Sequence, residues 1–370
     1  MSLTTILGLS VLLHLYIGAR LVPALPAAAG VALAIALLLS AALVPAGLMA
    51  RRLLRPPAAD RLTWVGMVAL GLFSTLFVLT VFRDLLLLGL GLAGQGGWAD
   101  ESGVAVPLLA LAFTAIGFFN ARRTAQVKRV HITIEGLPPA LEGFRIAQIS
   151  DIHVGPTIKS GYLQAIVDRV NALQPDVIAI TGDLVDGSVA ELGEHVAPLA
   201  QLKARHGVYF VTGNHEYYSG VHGWVQELRR LGIRVLHNEH VVLQHQGAQL
   251  VLAGVPDFTG HHFDPAHKSD PVEALRGAPA QAPRVLLAHQ PRTAPAAAAA
   301  GFDLQISGHT HGGQFLPWTF FVPLQQPFIA GLHQLDGLQV YVSRGTGYWG
   351  PPKRFGAPSE ISELRLAPSA

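Results

Sequence analysis

Four long apolar stretches crowd the first third of the chain, at residues 3–25, 27–50, 62–90 and 104–119. A helix needs about 20 apolar residues to cross the hydrocarbon of a bilayer. A backbone placed there must satisfy its own hydrogen bonds, which leaves helices or closed barrels. No other feature narrows the possible folds so far: residues 1–120 are expected to form an all-α transmembrane anchor of about four helices. A cleaved leader is the rival for the first stretch, but no basic residues precede it and more spans follow. Pro26 marks the turn into the second span.

The charge distribution divides the chain at the same place. Ten charged side chains lie in residues 1–120 and forty in the remainder, and only His14 of the 17 histidines precedes residue 120. The net charge is +2 and the pI near 9.0, from dispersed arginines instead of a basic cluster. That pattern argues against nucleic acid as a partner. The chain has no cysteine, which excludes disulfides and thiolate metal sites.

Arg51, Arg52, Arg55 and Arg61 follow the second span, and Arg122, Arg123, Lys128 and Arg129 follow the fourth. The loop after the third span, "AGQGGWADES", is acidic. The positive-inside rule then puts the N-terminus and everything after residue 120 in the cytoplasm. Arg20, near the outer end of the first span, opposes this. Arg83-Asp84 reads as the interfacial end of an overlong third span, and His14 as a packed side chain.

From "VKRVHITI", an expected edge strand, the texture changes. Residues 121–143 read as a basic linker carrying that strand, and 144–370 as one domain. Short apolar runs ("FRIAQIS", "DVIAIT", "GVYFVTG", "QLVLAGV", "RVLLAH", "FDLQIS", "LQVYVSRG") alternate with helical patterns ("GYLQAIVDRVNALQ", "VAELGEHVAPLAQLKAR", "GWVQELRRLG"). The alanine run 294–300 also reads as a helix. This order implies an α/β domain, parallel in its first half and with antiparallel ribbons later.

Ligands in such folds collect beyond the carboxyl ends of strands. Five strands end in hard donors: Asp151 and His153 in "DIH", Asp183 and Asp186 in "GDLVD", Asn214 and His215 in "GNHE", then His289, then His309 and His311 in "GHTH". A lone such residue is usually a cap or a satisfied polar group. Five together, with carboxylate, imidazole and amide but no sulfur, suit Mn, Fe or Zn. These nine residues are too many for one ion, and seven of them can hold two divalent metal ions, with one carboxylate bridging. Two metals clamp both ends of an in-line phosphoryl displacement, and a hydroxide shared between them is a strong nucleophile at neutral pH. The glycines around His309 and His311 are expected to turn the backbone so that the two rings reach different ions.

"DIH", "GDLVD", "GNHE", His289 and "GHTH" resemble, in order and spacing, the five signature blocks of calcineurin-like metallophosphoesterases. The resemblance covers about residues 140–365. "GLPPALEGFRIAQISDIHVG" and "SRGTGYWGPPKRFGAPSEI" further resemble the membrane-anchored bacterial branch, some of whose members hydrolyse UDP-2,3-diacylglucosamine in lipid A synthesis. The resemblance implies a four-layer αββα sandwich behind the anchor, in a multi-pass protein of the bacterial inner membrane. It implies that Asp151, His153 and His311 bind one ion, that Asn214, His289 and His309 bind the other, and that Asp183 bridges. His215 then stabilises the transition state or protonates the leaving oxygen, oriented by Asp186. The expected activity is phosphodiester or pyrophosphate hydrolysis of a phosphorylated small molecule or lipid, with no protein partner inferred. A non-catalytic metal-binding scaffold and a nuclease are the alternatives. Glu216 reads as a helix cap. Arg344, Tyr348, Lys353 and Arg354 are read either as phosphate or head-group contacts or as packing, and His261, His262 and His267 as a solvated loop.

Overall fold

The computed structural model describes residues 3–369. The chain forms two compact units: one built on the chain up to Arg122 together with residues 315–317 and 350–355, the other on the rest.

In the first unit, α1 (Leu3–Leu21), α2 (Ala27–Leu48), α4 (Ala58–Leu92) and α5 (Ala99–Arg122) are each long and apolar enough to cross a membrane, with the short α3 (Ala50–Leu53) between α2 and α4. These are transmembrane helices. The 35 residues of α4 span about 50 Å at 1.5 Å per residue, well over the hydrocarbon thickness. Its surplus turns carry Arg83 and Asp84. Arg83 donates to the Ala99 carbonyl (2.8 Å) and the Ser102 hydroxyl (2.9 Å) at the start of α5. Asp84 accepts from Arg20 (2.9 Å) and Tyr16 (2.7 Å). Arg20 is therefore paired by Asp84 and is no longer an isolated charge at the end of its span. His14 is packed as expected, bonded to the Ser10 carbonyl (2.7 Å) and Ser40 (2.9 Å) and stacked on Phe73. Helices α2 and α4 approach closely at Gly47 and Gly66, where a Cβ on Gly47 would lie 2.6 Å from the Gly66 Cα. Small residues permit such close helix packing in lipid.

Residues 350–355 pack within this same unit. Lys353 donates to the Gly71 carbonyl (3.1 Å) and to Thr75 and Thr114, and its ammonium lies over the Phe315 ring. The Arg354 N–H bonds the Gly117 carbonyl (2.8 Å), and Phe355 stacks on Phe113. Lys353 is thus committed to helix groups, which favours packing over the phosphate-contact reading.

The second unit holds two six-stranded mixed sheets. The first contains β1 (Gln126–Ile134), β2 (Arg145–Ile149), β3 (Val177–Ile180), β4 (Val208–Phe210), β5 (Arg234–Val235) and β12 (Glu360–Pro368), in the order β1-β12-β2-β3-β4-β5. The second contains β6 (Glu239–His245), β7 (Ala248–Gly254), β8 (Arg284–Leu287), β9 (Leu304–Ser307), β10 (Gly331–Leu335) and β11 (Leu338–Val342), in the order β10-β11-β9-β8-β7-β6. Strands β2 to β5 run parallel, as do β7, β8, β9 and β11. The hairpins β6–β7 and β10–β11 supply the expected antiparallel ribbons. β1 is the expected edge strand, and its whole length pairs with β12.

One core lies between the sheets, with Ile146, Val177 and Leu364 from the first and Leu252, Val285 and Ile306 from the second. Connecting β2 to β3, β3 to β4 and β4 to β5 are α6 (Ser160–Asn171), α7 (Val189–Val196), and α8 (Asn214–Tyr218) followed by α9 (Val221–Arg230). α7 is shorter than its sequence pattern, which passes at Pro198 into a 3-10 turn (Ala197–Gln201). On the second sheet α10 (Pro271–Ala274) and α11 (Ala294–Ala300) bury Ala274, Ala294 and Ala297 against Ala253, Leu286 and Val340. This is the expected α/β sandwich of two mixed sheets behind an N-terminal helical region. A last short helix, α12 (Trp318–Phe321), follows the "GHTHGGQ" loop.

Candidate metal centre

The carboxyl ends of β2, β3 and β4 in one sheet and of β8 and β9 in the other point to the same place. Each run of apolar residues stops one to four residues before its donor, so the sheet interior fixes where the loop starts. Backbone bonds then tie the loops together: the Asp151 N–H to the Gly182 carbonyl (3.0 Å), His153 to Asp183 (3.1 Å), Gly308 to His289 (2.9 Å).

Eight of the nine residues expected at the site are in mutual contact here. Asp151, His153 and His311 form one cluster and Asp183, His289 and His309 another, each with its ligand atoms within 4.8 Å of one another. His153 Nε2 and His311 Nε2 are 3.1 Å apart, and His311 Nε2 is 3.6 Å from Asp151. His289 Nε2 lies 3.2 Å from Asp183 Oδ2 and 3.2 Å from His309 Nδ1. The same Asp183 oxygen is 3.9 Å from His153 Nε2, so this carboxylate stands between the clusters. Asn214 is buried, and its side-chain Oδ1 makes no hydrogen bond.

Second partners fix the rings. His289 Nδ1 lies 2.7 Å from the Thr181 carbonyl, which requires N–H there, so Nε2 is the nitrogen whose proton a cation would replace. Asp186 Oδ1 contacts both His153 Nδ1 (3.1 Å) and His215 Nδ1 (2.6 Å), so it orients a ring of the first cluster as well as His215. His215 Nε2 faces Asp183 at 3.9 Å. Burial pulls His215 down, but Asp183 and the Asp186 bond outweigh it and raise the imidazole to about 9. Burial likewise works against protonated His289, yet Asp183 holds it well above its ordinary range. Burial and the neighbouring His289 push His309 down to about 3.

The backbone is unusual. Asp151, His153, Asp183, His309 and His311 all have positive φ, between 51° and 72°, a region that L-residues other than Gly, Asn and Asp seldom adopt. The histidines of "GHTH" therefore turn themselves, and the preceding glycine serves another purpose. A Cβ on Gly308 would run into Ser150 and the Asp151 carboxylate.

The donor set fits divalent cations. Two carboxylates and four imidazoles converge without sulfur, matching Mn, Fe or Zn chemistry, and the adjoining "GNHE" loop carries an unpartnered amide oxygen. The buried Asn214 oxygen, which would ordinarily be hydrogen-bonded, is a group that a cation could satisfy.

Glu216 does more than cap a helix. Fully buried, it accepts from the N–H groups of Gly213 (2.6 Å), Asp183 (3.0 Å) and Leu184 (2.8 Å), clamping the "GDLVD" and "GNHE" loops together. Burial and Asp183 push its carboxyl up to about 8, against the pull of those donors. A Glu three residues into a helix is an ordinary cap signal, and only the tertiary fold adds the second loop. Glu216→Ala strands three buried donors at about 1–3 kcal/mol each. Thermal unfolding of the purified variant should start roughly 10 °C lower, at about 2–4 °C per kcal/mol.

The other singled-out residues have protein partners. Arg344 pairs with Glu360 (3.1 Å), and the Tyr348 hydroxyl bonds the Thr157 carbonyl (3.2 Å). His261 and His262 are exposed as expected, but His267 turns inward onto the Tyr217 hydroxyl (3.0 Å).

The sequence profile of the calcineurin-like phosphoesterase family matches residues 144–313. A Danio rerio "transmembrane protein with metallophosphoesterase domain" is 42% identical over 271 residues, 70% of this chain and 62% of that one. An uncharacterized metallophosphoesterase of Aquifex aeolicus is 34% identical over 239 residues, 64% of this chain and 89% of that one. The chain spans about 62% of the length of its Danio rerio and Bos taurus relatives. Among solved structures, a dimetal phosphatase from Danio rerio aligns with 61% of this chain and 100% of its own at 13% identity and a TM-score of 0.39.

Proposed function

The chain belongs to the calcineurin-like metallophosphoesterase family, and from that premise we propose that it hydrolyses a phosphodiester or pyrophosphate bond of a membrane-associated substrate. The observation that carries this reading is the pair of His/Asp clusters sharing Asp183, with His215 beside them. Asp151, His153 and His311 would hold one divalent ion, Asn214, His289 and His309 the other, and Asp183 both. Bound there, the ions supply positive charge to the phosphoryl oxygens and acidify water.

The chain's own residues do the rest. Asp186 accepts the Nδ1 proton of His215 and so aims Nε2–H toward the clusters, where it donates to the leaving oxygen. Asp186 also holds His153 in register, and Glu216 keeps the loops of Asp183 and Asn214 at fixed separation.

The finer reading is a lipid-linked pyrophosphate substrate, of which UDP-2,3-diacylglucosamine is one case, cleaved on the cytoplasmic side of a bacterial inner membrane. The arginines that follow the second and fourth spans support that side. Aromatic walls support an amphiphilic substrate: Tyr218 and Trp349 lie edge-on to His215 and are largely exposed. Just past the "GHTH" loop, Trp318, Phe320, Phe321 and Leu324 are also exposed. Replacing Trp318, Phe320 and Phe321 together by serine should lower kcat/KM on vesicle-borne substrate by about tenfold or more, the equivalent of roughly 1.4 kcal/mol of lost apolar contact. Turnover of a soluble aryl phosphodiester should change less than about twofold.

The direct test incubates metal-replete protein with nucleotide-sugar lipids, phospholipids, cyclic nucleotides and an aryl phosphodiester. Cleavage of a lipid pyrophosphate supports the finer reading. Stoichiometric metal with no turnover of any substrate overturns the catalytic reading in favour of a scaffold.

A further inference from the structure

A second group of metal-type donors lies apart from the strand-end clusters. His222 stands in the first turn of α9, Asp264 and His267 bracket the 3-10 turn after β7, and His237 follows β5. His222 Nε2 is 3.2 Å and His267 Nε2 3.7 Å from the same Asp264 oxygen. One ligand atom from each of the three lies within 4.8 Å of the others. The His237 ring lies 4.1 Å from that of His267, and its Nε2 is buried without a hydrogen bond.

Two details separate this from a chance surface cluster. A buried imidazole nitrogen normally finds a partner, and His237 Nε2 has none. The remaining nitrogen of His267, Nδ1, lies 3.0 Å from the Tyr217 hydroxyl, the kind of outer partner that fixes a ligating ring.

We propose that His222, His237, Asp264 and His267 form a separate mononuclear site for a divalent transition ion. Three imidazole nitrogens and one carboxylate oxygen are a zinc-type set with the ligand number of a closed structural site. The four residues come from three chain segments, so one ion would staple the loop after β7 to α9 and to the end of β5. That loop borders α8, which carries Asn214 and His215, so the staple would hold one wall beside the catalytic residues.

The test is metal content, measured by elemental analysis of the full-length protein purified in zinc. His222→Ala/His237→Ala should carry about one zinc fewer per chain than the parent, and Asp183→Asn should keep that zinc while losing ions elsewhere. The difference of one ion does not depend on how many the strand-end clusters hold, so either reading can fail alone. An unchanged zinc count in the double variant overturns the proposal. Should that variant not fold, cobalt titration of the parent and of Asp264→Asn decides: a tetrahedral cobalt absorption band present in the parent and absent from the variant supports the site, and identical spectra overturn it.

Discussion

Asp183→Asn should leave a folded protein that has lost most of its strand-end metal and at least about three orders of magnitude in kcat/KM, equivalent to roughly 4 kcal/mol of transition-state stabilisation. The substitution is nearly isosteric. The amide oxygen still accepts from the His215 N–H, as the carboxylate does at 2.9 Å, so the loop keeps its shape. Only the anion is lost. That anion lies 3.2 Å from His289 and 3.9 Å from both His153 and His215, close to imidazoles of both clusters. Elemental analysis and turnover of an aryl phosphodiester check this together. A variant with full metal and near-parental rate would remove Asp183 from the centre.

His215→Ala should behave in the opposite way, keeping its metal while kcat falls by about two to four orders of magnitude, the range for losing a general acid or a charge-stabilising donor. His215 groups with His153 and Asp186, not with the ligand sets of Asp151, His153 and His311 or of Asp183, His289 and His309, and its ring is held through Nδ1 by Asp186. The loss should be steep for substrates with poor leaving groups and shallow for a nitrophenolate, which departs without a proton. A uniform loss across leaving groups assigns His215 to charge stabilisation instead, and loss of metal refutes both roles.

The site was largely legible because each donor follows a run of β-branched and aliphatic residues that can only be a buried strand. The four spans were legible for a related reason: a length of apolar sequence admits few solutions. What escaped was polar sequence that the fold buries. β12 reads "EISELRLAP", with charges that suggest surface, yet it lies between β1 and β2. Its Glu363 is buried because Arg129 (2.8 Å) and Arg365 (2.9 Å) neutralise it, and Glu360 because Tyr341 (2.6 Å) and Arg344 do. Apart from Arg365 those partners lie 16 to 234 residues away in sequence, so no local pattern announces them. Glu216 and His267 were underestimated for the same reason: their partners arrive from other loops. The hairpin strands β6 and β10 escaped too, each pairing along one side only at a sheet edge.

The left-handed backbone at five donor positions has an evolutionary corollary. The three histidines among them each carry an intrinsic cost of about 1–2 kcal/mol that glycine would largely avoid. Mutation drifting under selection for sturdiness alone would therefore erode those histidines toward glycine and yield a tougher, inert relative. Stability and metal binding thus pull in opposite directions at these positions, since the substitution that relieves the backbone removes a donor.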